Sequence, residues 1–126
     1  MPKAKVLVIE DNPVLVRFNE VLLKTGDYAA FFAEDGEEGI RLAVQEKPDV
    51  ILLDLILPKR HGFEVYKDLQ AKDETKNIPV IIVTGSGLEE VVEMESSIKV
   101  SGVLTKPYDF NKLEAAISKA LTKTSG

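Results

Sequence analysis

Cysteine is absent from the chain, which removes disulfide frameworks, thiol nucleophiles and zinc-thiolate sites and leaves oxygen and nitrogen groups to carry any chemistry. That absence fits a reducing cytoplasm. No signal peptide or membrane span is evident either: Met1 to Lys5 sets two lysines among short residues and runs straight into an apolar stretch of only a few residues. The expectation is a soluble cytoplasmic protein with no membrane contact. An excess of basic charge is missing as well, since 16 Lys and Arg face 21 Asp and Glu for a formal net charge of -5. Nucleic-acid binders draw much of their affinity from neutralising phosphates, so direct binding of nucleic acid is not expected. Internal repeats and long linkers are not found. The full P-loop and dinucleotide fingerprints are also missing, so Gly85-Ser86-Gly87 reads as a flexible turn. The single histidine, His61, is of a residue type often used in proton transfer, but an exposed loop position is the plainer reading.

What is present points to one α/β domain. A chain of 126 residues with 44% hydrophobic composition can bury a core unaided. Short apolar runs rich in β-branched residues alternate with segments of helical period, which predicts βαβ units around a parallel sheet buried on both faces. The runs are Val6 to Ile9, a weaker Tyr28 to Phe32, Val50 to Leu53, Val80 to Val83 and a faint Gly102 to Leu104, for five strands. Five helices are expected with them. The first is capped by Asn12, starts near Pro13 and ends at Gly26; the second follows Asp35, carries Glu37 and Glu38 in its first turn and stops before Pro48. The third runs from about Gly62 to Ala71 and a more polar fourth from about Leu88 to Ile98. The fifth is capped by Asp109 and has Leu113, Ala116, Ile117 and Leu121 on one face.

In an open parallel sheet, ligands bind off the carboxyl ends of the strands. Those ends carry Glu10 and Asp11 after the first strand, Asp54 after the third, Thr84 after the fourth and Lys106 after the fifth. If the first, third and fourth strands are central, the five side chains share one crevice. Three carboxylates together repel one another and call for a cation; a hard divalent ion such as magnesium takes oxygen ligands and retains waters. Such a cluster suits attack of a carboxylate on a phosphoryl group, a reaction that depends on positioning and charge neutralisation. Asp54 would be the nucleophile and Glu10 and Asp11 the metal ligands. Lys106 and Thr84 would engage phosphoryl oxygens. Each residue has a plainer reading: Glu10 and Asp11 as helix caps, Asp54 as a loop carboxylate, Thr84 as a strand former and Lys106 as an exposed lysine.

The acidic pair, Leu52-Leu53-Asp54-Leu55 with Leu57-Pro58 and Gly62, Val83-Thr84-Gly85 and Leu104-Thr105-Lys106-Pro107 together resemble the receiver domains of two-component signalling, over essentially the whole chain. The resemblance implies a flavodoxin-like doubly wound sheet of strand order 2-1-3-4-5, spanning residues 1–122 with a flexible tail at 123–126. It implies an aspartyl phosphate at Asp54 and Mg2+, with Mn2+ able to substitute, held partly through the backbone carbonyl of Ile56. It further implies a cis peptide at Lys106-Pro107. The implied donors are a histidine kinase or histidine phosphotransfer protein, and the output is an unknown downstream protein target reached by a monomer or weak dimer. Such a domain is a phosphoacceptor rather than an enzyme, beyond assisting its own phosphotransfer and slow autodephosphorylation.

The chain departs from the pattern in three places. Val103 stands where receivers commonly place an aromatic residue whose swing accompanies switching. The acidic pair is Glu-Asp where Asp-Asp is more frequent. Ile56 and Ser86 lie two places beyond key residues, where side chains can admit or exclude the attacking water; Ile56 cannot hydrogen-bond that water, which predicts slow self-dephosphorylation. Two rival readings follow. One is a receiver-like docking module that signals by regulated binding without turnover. The other is a flavodoxin-like cofactor binder, which the acidic loop after the first strand disfavours. Tyr108 is expected against the start of the last helix. Leu88, Val91, Val92 and Met94 fit either a helix core or a partner-binding face.

Overall fold

The computed structural model describes residues 4–55, 57, 61–85 and 100–124. Within them five strands form one sheet: β1 (Lys5–Ile9), β2 (Ala29–Ala33), β3 (Val50–Asp54), β4 (Val80–Thr84) and β5 (Gly102–Thr105). All adjacent pairs are parallel and the order is β2-β1-β3-β4-β5. The expected flavodoxin-like arrangement is therefore observed. Four helices are described, α1 (Pro13–Thr25), α2 (Gly36–Glu46), α3 (Gly62–Ala71) and α4 (Phe110–Thr124). The helix expected over Leu88 to Ile98 lies outside the described residues, as do Ile56, Pro58 and Ser86.

Strands β3 and β4 are buried at every position, which is why their sequences are continuous apolar runs rather than alternating ones. Successive side chains still point to opposite faces. Val8, Leu52, Ile81 and Val83 meet Leu23 of α1 and Leu113 and Ile117 of α4. Ile9, Ile51, Leu53 and Ile82 meet Ala43 of α2 and Val65 and Leu69 of α3. Each fully buried Leu or Ile contributes about 1.5–3 kcal/mol over an exposed one, so the two apolar layers fix the sheet as a rigid platform whose carboxyl ends are held in register.

The helix starts follow the local chemistry expected of them. Asn12 accepts from the N–H groups of Val14 and Leu15 with Pro13 at the first helical position, Asp35 accepts from Glu38 N, and the Asp109 carboxylate accepts from Lys112 N. The end of α1 differs. Gly26 is the C-cap with an ordinary φ of -83, and Asp27 instead takes the left-handed conformation at φ 64, a region that aspartate tolerates better than most side chains. At the other end of the chain, α4 continues to Thr124, two residues into the stretch expected to fray. No helix among the described residues is long and apolar enough to cross a membrane.

Candidate functional site

Parallel strands deliver their carboxyl ends to one edge of the sheet, and the register decides which side chains meet there. Asp54 is the last residue of β3 and pairs with Val83, next to Thr84, the last residue of β4. Thr84 in turn pairs with Thr105 of β5, and Lys106 N donates to the Thr84 carbonyl at 2.8 Å. Glu10 follows β1, its N–H donating to Ala33 O at 2.9 Å. All five residues singled out from the sequence therefore lie at the same edge.

Gly62 explains how the chain can return so closely. A Cβ there would stand 2.5 Å from the Asp54 carbonyl oxygen and 2.7 Å from Leu55 Cα, both backbone atoms. Glycine thus lets the start of α3 seat against the end of β3, where Gly62 N donates to Leu55 O at 2.7 Å. His61 is exposed, as expected, and caps α3: its Nδ1 accepts from Phe63 N at 3.2 Å while the ring stacks on Phe63.

Glu10, Asp54 and Thr84 are almost wholly buried, at 3%, 6% and 2% exposure, whereas Asp11 is exposed. Lys106 Nζ lies 3.0 Å from Asp54 Oδ2 and 3.3 Å from Glu10 Oε1, so one ammonium spans two carboxylates. The other Glu10 oxygen accepts from Asn12 N at 3.2 Å. Burial pushes Glu10 up to about 7, helped by its hydrogen bond with Asp54 and the Asp54 charge, against the opposing pull of the Asn12 N–H and Lys106. Burial alone would lower Lys106; hydrogen bonds and charge from Asp54, then Glu10, outweigh it and hold the ammonium above its usual value.

Carboxylate oxygens of Glu10, Asp11 and Asp54 come within 4.8 Å of one another. Three carboxylates facing one ammonium leave the site short of positive charge. An all-oxygen donor set of this size fits a hard divalent cation. The fourth expected ligand, the Ile56 carbonyl, lies outside the described residues. Beside Glu10 and Asp11 the surface opens into a groove of about 440 Å³ lined also by Arg17, Glu20, Glu34 and Glu38.

Two further residues stand close by. The Lys106-Pro107 peptide is cis, as the resemblance implied. Tyr108, which follows it, is buried in the layer that contains Leu113 and Ile117, but its polar partner is on α1: the hydroxyl donates to Asn19 Oδ1 and the ring meets Phe18 edge-on at 5.6 Å. Beyond its expected place against the start of the last helix, Tyr108 is therefore tied to α1. Asn19 escaped the sequence reading, although an amide within the apolar stripe formed by Leu15, Leu22 and Leu23 was a signal of a buried polar contact. Burial pushes the Tyr108 phenol up to about 12, the Asn19 bond opposing and the Glu10 and Asp54 charges adding. Val103 is half-buried opposite Ile82 and packs against the layer under α2 and α3.

The described geometry agrees with comparisons against known proteins. A family model of the response regulator receiver domain matches residues 6–118. Protein PilH of Pseudomonas aeruginosa is 35% identical over 118 residues, covering 94% of this chain and 98% of that one. Sporulation initiation phosphotransferase F of Bacillus subtilis is 31% identical, with 96% of each chain covered. The DNA-binding dual master transcriptional regulator RpaA of Synechocystis is 35% identical over 95% of this chain, which spans only 50% of that protein's length. Among solved structures, the receiver domain of sensor histidine kinase PA1611 from Pseudomonas aeruginosa, with a magnesium ion coordinated in its active-site cleft, superposes with a TM-score of 0.87 at 25% identity, covering 94% of this chain and 98% of that one. Chemotaxis protein CheY4 of Vibrio cholerae gives a TM-score of 0.87 at 26% identity with the same coverage.

Proposed function

Because the chain belongs to the response regulator receiver domains of two-component signalling, we propose that Asp54 is its phosphoacceptor and that residues 1–122 form the receiver unit. The observation that carries this reading is the buried Asp54 carboxylate at a strand end, with the Lys106 ammonium 3.0 Å away and the carboxylates of Glu10 and Asp11 beside it. A histidine kinase or histidine phosphotransfer protein is the proposed donor. An Asp54 carboxylate oxygen attacks phosphorus in line; the bond from phosphorus to the donor imidazole breaks, and its electron pair stays with the imidazole. The product is an acyl phosphate, later cleaved by water to regenerate the carboxylate and release inorganic phosphate.

Glu10, Asp11, Asp54 and the Ile56 carbonyl are the residues that would hold Mg2+ or Mn2+, which when bound supplies charge neutralisation for the transferring oxygens. Lys106 contributes the remaining positive charge: already bonded to Asp54, it can pass to a phosphoryl oxygen without leaving the site. Thr84 offers a hydroxyl donor to a second oxygen. The added charge on Asp54 then biases two arrangements of the sheet edge and its last elements, read by a downstream protein target. The remainder of the proposal is a cytoplasmic monomer or weak dimer that turns over no substrate apart from its own acyl phosphate. Val103 at the customary aromatic position favours one alternative, a docking module that signals by binding without turnover.

Intact mass after incubation with magnesium and acetyl phosphate tests the proposal, with Asp54→Ala as control and beryllium fluoride as a stable mimic. A phosphoryl-sized gain confined to the wild type is expected. No gain and no mimic binding in a folded protein would overturn it in favour of the docking module.

A further inference from the structure

A side chain that serves a reacting site has to be held to within about 0.5 Å of its productive place, yet Lys106 belongs to a loop rather than to a regular element. Its backbone is secured on one side by the bond from Lys106 N to Thr84 O at 2.8 Å. On the other side the first anchored residue is Tyr108, with only Pro107 between. Tyr108 is 7% exposed and Asn19 is 3% exposed, so their hydrogen bond is shielded from water.

An asparagine in the apolar stripe of α1 is costly unless paired, and so is a buried phenol. Leucine and phenylalanine at the two positions would fill the same space without that requirement. What the polar pair adds is direction: a hydrogen bond fixes how deep the tyrosine sits and how it is turned, whereas an apolar contact can slide. The Phe18 ring, edge-on at 5.6 Å with an interplanar angle of 62°, limits the same rotation. The Glu10 and Asp54 charges are felt at the phenol, which places the pair within electrostatic reach of the site.

We propose that Asn19 and Tyr108 are positioning residues for the phosphoryl-transfer site: their buried hydrogen bond ties the loop after β5 to α1 and thereby holds the Lys106 ammonium on Asp54. This rests on the reading of Asp54 as phosphoacceptor. A structural consequence is that α1 and Lys106 are mechanically joined, so a displacement of α1 at Asn19 is transmitted to the ammonium within two residues.

The test is a double-mutant cycle on beryllium fluoride affinity at saturating magnesium, using Tyr108→Phe and the space-filling pair Tyr108→Phe with Asn19→Leu, each alone and combined with Lys106→Met. Urea denaturation confirms that the variants are folded. With Lys106 present, Tyr108→Phe is expected to weaken the mimic about tenfold, equivalent to about 1.4 kcal/mol, with no loss of magnesium affinity. With Lys106→Met it should cost nothing more. Equal losses in both backgrounds, or a parallel loss of magnesium affinity, would show a general structural role and overturn the proposal. The second readout needs no phosphorylation: the order and chemical shift of the Lys106 Cε group by NMR on lysine-labelled protein. Increased mobility in Tyr108→Phe is expected. Unchanged order refutes the positioning role even if the mimic never binds, whereas failure of mimic binding in the wild type with increased mobility in the variant would refute only the phosphoacceptor reading.

Discussion

Replacing Glu10 with glutamine should make the metal-free protein more stable at alkaline pH and give no such gain at acid pH. Glu10 is buried against Asp54 and rises from 4.5 to about 7 in the folded state. Below 4.5 both folded and unfolded chains carry the proton. Between 4.5 and 7 the unfolded chain releases it while the folded one retains it, so the folded state binds more protons and stability falls as pH rises. Above about 7 the loss is complete. At about 1.4 kcal/mol for each pH unit it amounts to roughly 3 kcal/mol, an order-of-magnitude figure. Glutamine is the neutral near-isostere: its oxygen can accept from Lys106 and its NH2 can donate to Asp54 without ever ionising, while the bond that Glu10 accepts from Asn12 N is forfeited at every pH.

Urea denaturation of wild type and Glu10→Gln, both with chelator, at about pH 4 and about pH 8 isolates this slope from the titrations that do not involve Glu10. With an m-value of about 1–3 kcal/mol/M for a small domain, the midpoint of the variant should lie roughly 1 M or more above the wild type at the higher pH. At the lower pH this gain should be absent. A midpoint difference independent of pH would refute the argument that Glu10 is held protonated by burial and Asp54.

Gly62→Ala should destabilise by about 1–3 kcal/mol or more, because its Cβ would meet backbone at 2.5 Å beside Asp54; an unchanged urea midpoint would contradict that contact. Lys106→Met should tighten magnesium binding several-fold, since it removes a cation competing for Glu10 and Asp54, while slowing acetyl phosphate uptake. Titration calorimetry checks the first effect and intact mass the second. Ile56→Asn should shorten the acyl phosphate lifetime several-fold by offering a hydrogen bond to the attacking water, and equal lifetimes by phosphate-release assay would exclude that role.

The legible parts of the fold are those whose causes are local. β3 and β4 show as apolar runs because both faces are covered, and Asn12, Asp35 and Asp109 announce helix starts because their side chains bond N–H groups two or three residues away. The apolar run that opens at Tyr28 predicts β2 one residue early; the Tyr28 N–H instead donates to Leu23 O, closing α1, and β2 begins at Ala29. Strand order and the cis peptide came from family resemblance and not from any pattern in the residues. The site residues were legible because each ends a strand, but their mutual geometry was not. Lys106 and Glu10 are 96 residues apart, and Tyr108 and Asn19 are 89, separations at which only the folded sheet determines who meets whom.

The longer side chain at Glu10 acquires a meaning from those distances. A shorter carboxylate at this position would have less reach across the strand end, whereas Glu10 bonds Asn12 N with one oxygen and Lys106 with the other. Lys106 therefore sits between two buried carboxylates instead of on Asp54 alone. In that position its charge offsets the repulsion that would otherwise oppose burying Glu10 and Asp54 together. The same ammonium is the group that a phosphoryl oxygen would recruit. Phosphorylation at Asp54 would then draw Lys106 from Glu10 as well as from Asp54, and the loop that carries it is fastened through Tyr108 to α1. With Val103 in place of the usual aromatic, this link would offer a route from the proposed phosphoryl site to the surface that runs through the lysine and α1, without a ring swing on β5.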